Sequence, residues 1–319
     1  MPFEILRHDI TKINTDAIVN STSSFPFIGE GVDFQINQSA GPSLFQERKS
    51  QGYLSLNQAI ITKAYNLPSK HVIHVSAPVY IDGKHHEHED LKTTYLNALS
   101  LAHQHKLESI AFPLLSSGNY RFPRGEALDI ALSAIRLFLD HHDVMIYLLV
   151  YDEASYQISL NRFISIKNYL DHNNHHSILK EMIIPSDMDM NYSISRKLED
   201  LEDELDETFV ESLFRRIDEK QLNDVDVYKK ANIDRKLFSK IKSNLNYQPS
   251  KMTAIAFAIA LELNLDQTKD LLNKAGYSLS PSTKFDKIIQ YFIEESNYDL
   301  YEINQVLFAF DQKTIGGID

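Results

Sequence analysis

Two loops in the first half of this chain carry residue types that could hold an anion. The first, SFPFIGEGVD at residues 24–33, sets Gly29 and Gly31 ahead of Val32 and Asp33. The second, LLSSGNYRFP at 114–123, sets Ser117, Gly118, Asn119 and Tyr120 ahead of Pro123. Glycine adopts backbone angles that aim successive N–H groups at one point. Each loop leads into a predicted helix, whose free N–H groups and macrodipole favour negative charge. Asp33, in the first turn of its predicted helix, can satisfy the N–H groups there. Either loop by itself also reads as a tight strand-to-helix turn.

Other chemistries are thinly supplied. Cysteine is absent, which removes disulfides, thiol nucleophiles and thiolate metal sites. Histidines cluster at His85, His86 and His88, at His141 and His142, and at His172, His175 and His176, in predicted loops or helix ends without rigid ligand spacing. They read as solvated, so no metal and no cofactor is expected.

The elements that must position the loops alternate in type. Residues 3–7, 17–21, 59–64, 72–76, 109–115 and 145–151 are short, apolar and rich in Ile, Val and aromatics, as strands are. Residues 32–40, 91–105, 123–141 and 155–171 have helical apolar spacing, with Pro123 in a first turn that tolerates it. Such alternation predicts an α/β fold, a mixed or parallel sheet with helices on both faces. From 172 to 191 the pattern dissolves into HNNHH and PSDMDMN, and 196–207 reads as an acidic helix. Beyond residue 208 everything looks helical in short pieces: 209–219, 224–231, 235–243, 251–263, 266–275, 285–295 and 300–310. The predicted organisation is 1–172, a linker with acidic helix at 173–208, and an all-α domain at 209–319.

Composition narrows the function. At 319 residues, 43% hydrophobic and 24% charged, the chain is long and apolar enough for two globular domains. No apolar run reaches membrane-span length, and the start is too charged for a signal peptide, so a cytoplasmic protein without a membrane partner is expected. A net charge of −12 excludes nonspecific nucleic-acid binding by the whole surface, so any anion site is local.

Taken in order, HDITKINTDAIVNSTS, GEGVD, Ala40–Gly41, AIITKAYNLPSKHVIHVSAPVY and SIAFPLLSSGNYRFPRGEALDIAL resemble the macrodomains over residues 3–170. The resemblance implies a three-layer α/β/α fold that binds ADP-ribose; many members remove ADP-ribose from proteins or cleave related esters. By the same resemblance Asp9 accepts from the adenine amino group and Ile10 backs it through the main chain. Tyr151 lies against the adenine ring. Val32 and the backbone of Ser117, Gly118, Asn119 and Tyr120 cradle the diphosphate, and Asn20 and Tyr120 border the distal ribose. Gly29, Gly31 and Ser23 are also expected to bind the ligand, and Asp33 helps position or activate water at the distal ribose. Blander readings stand beside these: Asp9 caps the turn at Ile10, Tyr151 packs at a strand edge, and Asn20 only braces its loop.

The chain departs from the family near this site. Ser23 replaces a second Asn, Glu30 interrupts the glycine run, Asn37 replaces a helix His and Arg121 replaces a glycine. Each change removes a polar contact or adds bulk, so two functions stay open: a hydrolase of ADP-ribosyl or O-acyl-ADP-ribose bonds, and a non-hydrolytic sensor. A weaker third is an effector of an ADP-ribose-type nucleotide signal.

The segment 224–276 resembles repressor-type helix-turn-helix domains. Asn232 tolerates the left-handed turn, Asp234 is a good N-cap, and the helix that follows would enter a major groove. Between 224 and 251 seven Lys or Arg stand against three Asp, a local +4. On that reading Arg235, Lys236, Lys240 and Lys242 contact phosphates. Tyr228, where a small residue usually packs, argues against DNA, and a protein-docking or self-association role is the alternative.

Overall fold

The computed structural model describes residues 3–150, 165–170 and 207–316. Six strands form one sheet in the order β1-β6-β5-β2-β4-β3. They are β1 (Phe3–Leu6), β2 (Ala17–Ser21), β3 (Ala59–Lys63), β4 (His71–Val75), β5 (Ser109–Pro113) and β6 (Met145–Leu149). All neighbours pair in parallel except β3, which runs antiparallel to β4 with Thr62 opposite Val72. The sheet is therefore mixed, as expected. Central strands covered on both faces need no polar alternation, and in β2 all but the last residue is buried.

Helices α1 (Val32–Ala40), α2 (Pro42–Ser50), α3 (Glu87–Gln104) and α4 (Arg124–Leu139) complete this region. Two adjacent residues of β5 report the layering, because successive strand side chains point to opposite faces. Ala111 packs in a core with Ile36 and Ala40 of α1 and Leu44 of α2. Phe112 instead meets Tyr95 of α3, ring centroids 5.2 Å apart. The sheet lies between two helical layers, an α/β/α arrangement.

Sequence periodicity locates α1 and misses α2, a helix whose apolar stripe is too weak to register. Its start is nevertheless written in Gly41–Pro42: Gly41 has φ 84°, which breaks the helix, and Pro42 opens the next one. Pro123 sits one residue earlier than expected, as the N-cap of α4 rather than inside it. Helix α3 begins at Glu87, a turn before the predicted 91. Of the helix expected at 155–171, residues 165–170 are described and are helical. The expected linker and acidic helix at 172–206 lie outside the described residues.

The second region is all-helical: α5 (Phe209–Glu219), α6 (Asp224–Lys230), α7 (Arg235–Lys242), α8 (Lys251–Ala260), α9 (Leu265–Lys274), α10 (Lys284–Glu294) and α11 (Leu300–Ala309). Capping boxes at Thr208 and Asn264 start α5 and α9 by satisfying orphan N–H groups on both sides. Residues 253 to 260 of α8 are all buried, which makes it the central helix, and Phe257 meets Phe209 and Phe238 at 6.3 and 6.0 Å. Two compact units result: Met1–Ile158 with Asn232–Arg235 and Asn304–Asp319, and Ser159–Ala231 with Lys236–Ile303. No helix among the described residues is long and apolar enough to cross a membrane.

Candidate active site

β2 and β5 are parallel neighbours at the centre of the sheet. The chain leaves β2 toward β3 and β4 on one side and leaves β5 toward β6 on the other. That reversal opens a crevice beyond the carboxyl ends of the two strands, where open α/β sheets bind ligands. Both glycine-bearing loops begin there. Between them lies a cavity of about 440 Å³ lined by Ser21, Ser23, Phe27, residues 29–33, residues 113–116, Gly118, Asn119 and Tyr120. The size suits a small-molecule ligand.

Each wall presents backbone donors. Gly31 is the N-cap of α1, with φ 66° and no side-chain cap, so the first-turn N–H groups of Val32, Asp33 and Phe34 keep no acceptor among the described residues. Across the cavity the N–H groups of Ser117, Gly118, Asn119 and Tyr120 likewise have none. That second loop is shaped by positive φ at Ser116 (61°) and Arg121 (60°). It is pinned by Ser117 Oγ donating to Leu114 O at 2.8 Å and Ser116 Oγ donating to Pro78 O at 2.9 Å. Among the described residues no cation lines the cavity, and Glu30 adds a carboxylate at its mouth, 3.5 Å from Asn119 Nδ2. The donors these two walls offer an anion are backbone N–H groups.

Asp33 anchors the first wall. It is 4% exposed, and its Oδ1 accepts from Asn20 Nδ2 at 2.6 Å and Asn37 Nδ2 at 2.9 Å. Its Oδ2 accepts from the Gly29 N–H at 2.7 Å. Gly29 was expected to aim its N–H at a ligand; that donor is instead taken by Asp33. A Cβ on Gly29 would lie 3.2 Å from Asp33 Oδ2, so the close approach suits glycine. Burial pushes the Asp33 carboxyl above its ordinary range, against the lowering pull of Asn20, Gly29, Arg48 and Asn37. Tyr120 reaches over from the second loop, its hydroxyl 3.4 Å from Thr22 O; burial raises its phenol, and the charge of Asp33 raises it further.

Sequence reasoning missed Arg48, on the helix it also missed. This guanidinium is buried beneath the first loop, donating to Gly52 O at 2.8 Å and Ser23 O at 3.1 Å. Burial lowers its pKa while Asp33 supports its charge. Arg48 thus fixes the loop backbone and balances Asp33 from behind. Its signal was faint: a lone Arg on a polar helix, in ERKSQG.

The remaining predicted residues distribute as follows. Gly29, Gly31, Val32, Ser23, Asp33, Gly118, Asn119 and Tyr120 line the cavity. Asn20 is fully buried behind the wall and reaches it through Asp33. Ser117 faces its own loop. Ile10 is part of the α1–α2 core. Asp9 Oδ1 accepts from the Thr11 N–H at 2.9 Å and its hydroxyl at 2.7 Å, and Lys12 stands 3.6 Å from Oδ2. Those donors and Lys12 lower the Asp9 pKa against its desolvation. Asp9 thus caps its own turn through Oδ1, and neither it nor Ile10 is among the residues lining this cavity. Tyr151 lies outside the described residues.

Among the described histidines, His85 pairs with Asp82 at 2.9 Å beside Glu87. The Glu87 carboxylate accepts from the backbone N–H groups of Ile81, Asp82, Gly83 and His85, which locks this loop.

In the second region Asn232 has φ 54°, the left-handed turn expected between α6 and α7. Arg235, Lys236 and Lys240 are exposed. Lys242 is drawn back, bonded to Asp224 at 2.5 Å and set 5.5 Å over the ring of Phe214. Tyr228 is buried against Phe238, 5.7 Å between ring centroids.

Comparison with known proteins gives the following. Residues 19–131 match the family model for the Macro domain. Over 157 residues the chain is 41% identical to the O-acetyl-ADP-ribose deacetylase of Escherichia fergusonii, covering 47% of this chain and 89% of that protein. Over 153 residues it is 39% identical to a Macro domain-containing protein of Methanosarcina mazei, covering 47% and 82%. A solved structure of the Oceanobacillus iheyensis macrodomain with ADP is similar at a TM-score of 0.46 and 33% identity, covering 48% of this chain and 85% of that one.

Proposed function

This chain belongs to the macrodomain family, and from that premise we propose that it binds ADP-ribose and hydrolyses the ester of O-acyl-ADP-ribose. One observation carries the reading: a 440 Å³ cavity with two facing rows of unspent backbone N–H groups and a buried carboxylate at one wall. The rows suit the diphosphate, bound without a cation. Val32, Gly31, Gly118, Asn119 and Tyr120 supply that contact, and Ser23 and Tyr120 border the distal ribose.

In the reaction, a water oxygen bonds to the acyl carbon as Asp33 takes the water proton. The ester C–O bond then breaks, and the ribose oxygen recovers a proton from Asp33. A carboxylate offers about four lone-pair positions; three are filled by Asn20, Asn37 and Gly29, which leaves one for water. A raised pKa makes Asp33 a stronger base than an exposed Asp. Two departures from the family pattern weigh less against turnover than the bare sequence suggests. Asn37 bonds the carboxylate directly, and Arg121 is exposed and does not line the cavity. The relative named O-acetyl-ADP-ribose deacetylase adds support.

Calorimetry with ADP-ribose beside an assay for acetate release tests both halves. Micromolar binding with turnover is expected; binding without turnover leaves the sensor function, and no binding removes both.

For the second region a helix-turn-helix role in DNA binding is supported by the tight α6–α7 turn at Asn232 and by exposed Arg235, Lys236 and Lys240. Docking to a protein partner fits the same layout. A salt-dependent gel shift on duplex DNA separates them, since phosphate contacts weaken steeply with salt; no shift at low salt removes the DNA role.

A further inference from the structure

Behind Asp33 runs a line of buried polar side chains that takes no part in the proposed chemistry. Asn20, His74 and Thr62 are 0%, 1% and 3% exposed and sit on β2, β4 and β3, the last three strands of the sheet order. Asn20 Nδ2 lies 2.6 Å from Asp33 Oδ1 and 3.4 Å from His74 Nδ1. His74 Nε2 lies 2.9 Å from Thr62 Oγ1, which in turn is 3.4 Å from Val72 O.

The protons along this line have one consistent arrangement. An ionised Asp33 only accepts, so the Asn20 atom facing it is the NH₂ group. That group's second hydrogen points to His74 Nδ1, which must then be the bare nitrogen. The proton of His74 is on Nε2 and goes to Thr62 Oγ1, and the Thr62 hydroxyl donates to the Val72 carbonyl. Burial and the neighbouring Arg48 charge keep the ring neutral, with its pKa lowered to about 3, so Nδ1 stays available as an acceptor.

The arrangement comes at a local cost, which is why it needs a holder. Asn20 Oδ1 is buried with no donor among the described residues, which leaves its desolvation uncompensated. An amide turned over would relieve that oxygen only by presenting an acceptor to a carboxylate. His74 opposes the same flip from the other side.

We propose that His74 is a positioning residue: by accepting from Asn20 it fixes the flip of that amide and, through it, the place of the Asp33 carboxylate in the cavity. The proposal rests on Asp33 being the group that acts there.

The test uses the full chain with His74→Leu, His74→Asn and Thr62→Val. Leu removes the acceptor, Asn restores one near the place of Nδ1, and Thr62→Val removes the group that holds the proton on Nε2. With O-acetyl-ADP-ribose as substrate, His74→Leu is expected to lower kcat about tenfold or more while KM and the ADP-ribose Kd stay within about threefold, as loss of orientation alone does. His74→Asn should recover kcat to within about threefold of wild type, and Thr62→Val should fall between. A kcat for His74→Leu within about twofold of wild type overturns the proposal. So does an equal loss in Leu and Asn variants accompanied by a lower melting temperature, which would mark a purely structural ring.

A second readout is independent of turnover. Nitrogen NMR of labelled histidine should find the His74 proton on Nε2 in the wild type, with a shift toward Nδ1 in Thr62→Val; a wild-type proton on Nδ1 overturns the proposal. If the wild type binds ADP-ribose and releases no acetate, the hydrolytic function has failed, and this NMR result still decides whether His74 holds Asn20.

Discussion

Replacing Asp33 by Asn changes one oxygen to an NH₂ group and removes one charge, and the site offers that NH₂ nowhere to go. All three neighbours of the carboxylate donate: Asn20 and Asn37 to Oδ1, and the Gly29 N–H to Oδ2. A substituted amide that turns its NH₂ toward Gly29 meets a backbone donor that cannot flip. Turned the other way it meets two amides, one of them held by His74. At least one charge-assisted hydrogen bond is lost, typically about 1.5–3 kcal/mol. Buried Arg48 also loses the carboxylate charge that supports its own, while the desolvation that raises the Asp33 pKa is relieved. Because these effects partly oppose, a net destabilisation of about 1–3 kcal/mol is expected. For a domain of this size that is roughly 2–12 °C in melting temperature. Scanning calorimetry of the full chain measures it, the relevant transition being the one that ADP-ribose raises in the wild type. Acetate release should fall to background in the same variant. A ligand-sensitive transition within about 1 °C of wild type would refute the reasoning, since Asp33 could not then be the acceptor that three donors share.

Three further outcomes follow from the same geometry. His74 has a folded pKa of about 3 against an ordinary 6.5, so between those values only the unfolded chain binds its proton. Stability from this residue is complete above 6.5 and falls as pH drops toward 3, by up to about 1.4 kcal/mol per pH unit; denaturant unfolding between pH 7 and 5 should show a shallower loss in His74→Asn. Gly31 has φ 66° and ψ −127°, a combination outside the left-handed helical region that costs an alanine about 1–3 kcal/mol. Gly31→Ala should lower the same transition by a few degrees and weaken ADP-ribose binding in calorimetry, even though its Cβ would meet no atom within 4 Å; unchanged binding would mean that the first-turn donors are not used. Glu30 puts a negative charge at the mouth of a cavity that no cation lines among the described residues, so Glu30→Gln should tighten ADP-ribose about two- to fivefold at low salt and less at high salt. Equal or weaker binding at low salt would place the diphosphate away from this residue.

Residue types and their spacing were enough to read the elements and their order. Apolar runs of five residues between helical periods announce a covered sheet, because only strands buried on both faces lose their polar alternation. Gly29, Gly31 and Gly118 marked the two cavity loops, since few other residues let a backbone face a ligand closely. The order of motifs carried the family resemblance. Even the departures at Asn37 and Arg121 were visible as residue types, though not their consequences.

Packing decided what each polar group spends its hydrogen bonds on, and that depends on partners far apart in the chain. Asp33 and His74 are 41 positions apart and meet only through Asn20, because β2 and β4 are neighbours in the sheet. Arg48 lay on a helix with too little apolar periodicity to register, and its role exists only because the loop at Ser23 passes over it. That both Thr11 donors converge on Asp9 Oδ1 was likewise invisible until the turn was folded. The two loops could be read as anion cradles from their glycines alone. That one glycine N–H belongs to Asp33, and that Asp33 is held from behind by a buried amide and a neutral imidazole, are facts of the folded chain, where distance in space replaces distance in sequence.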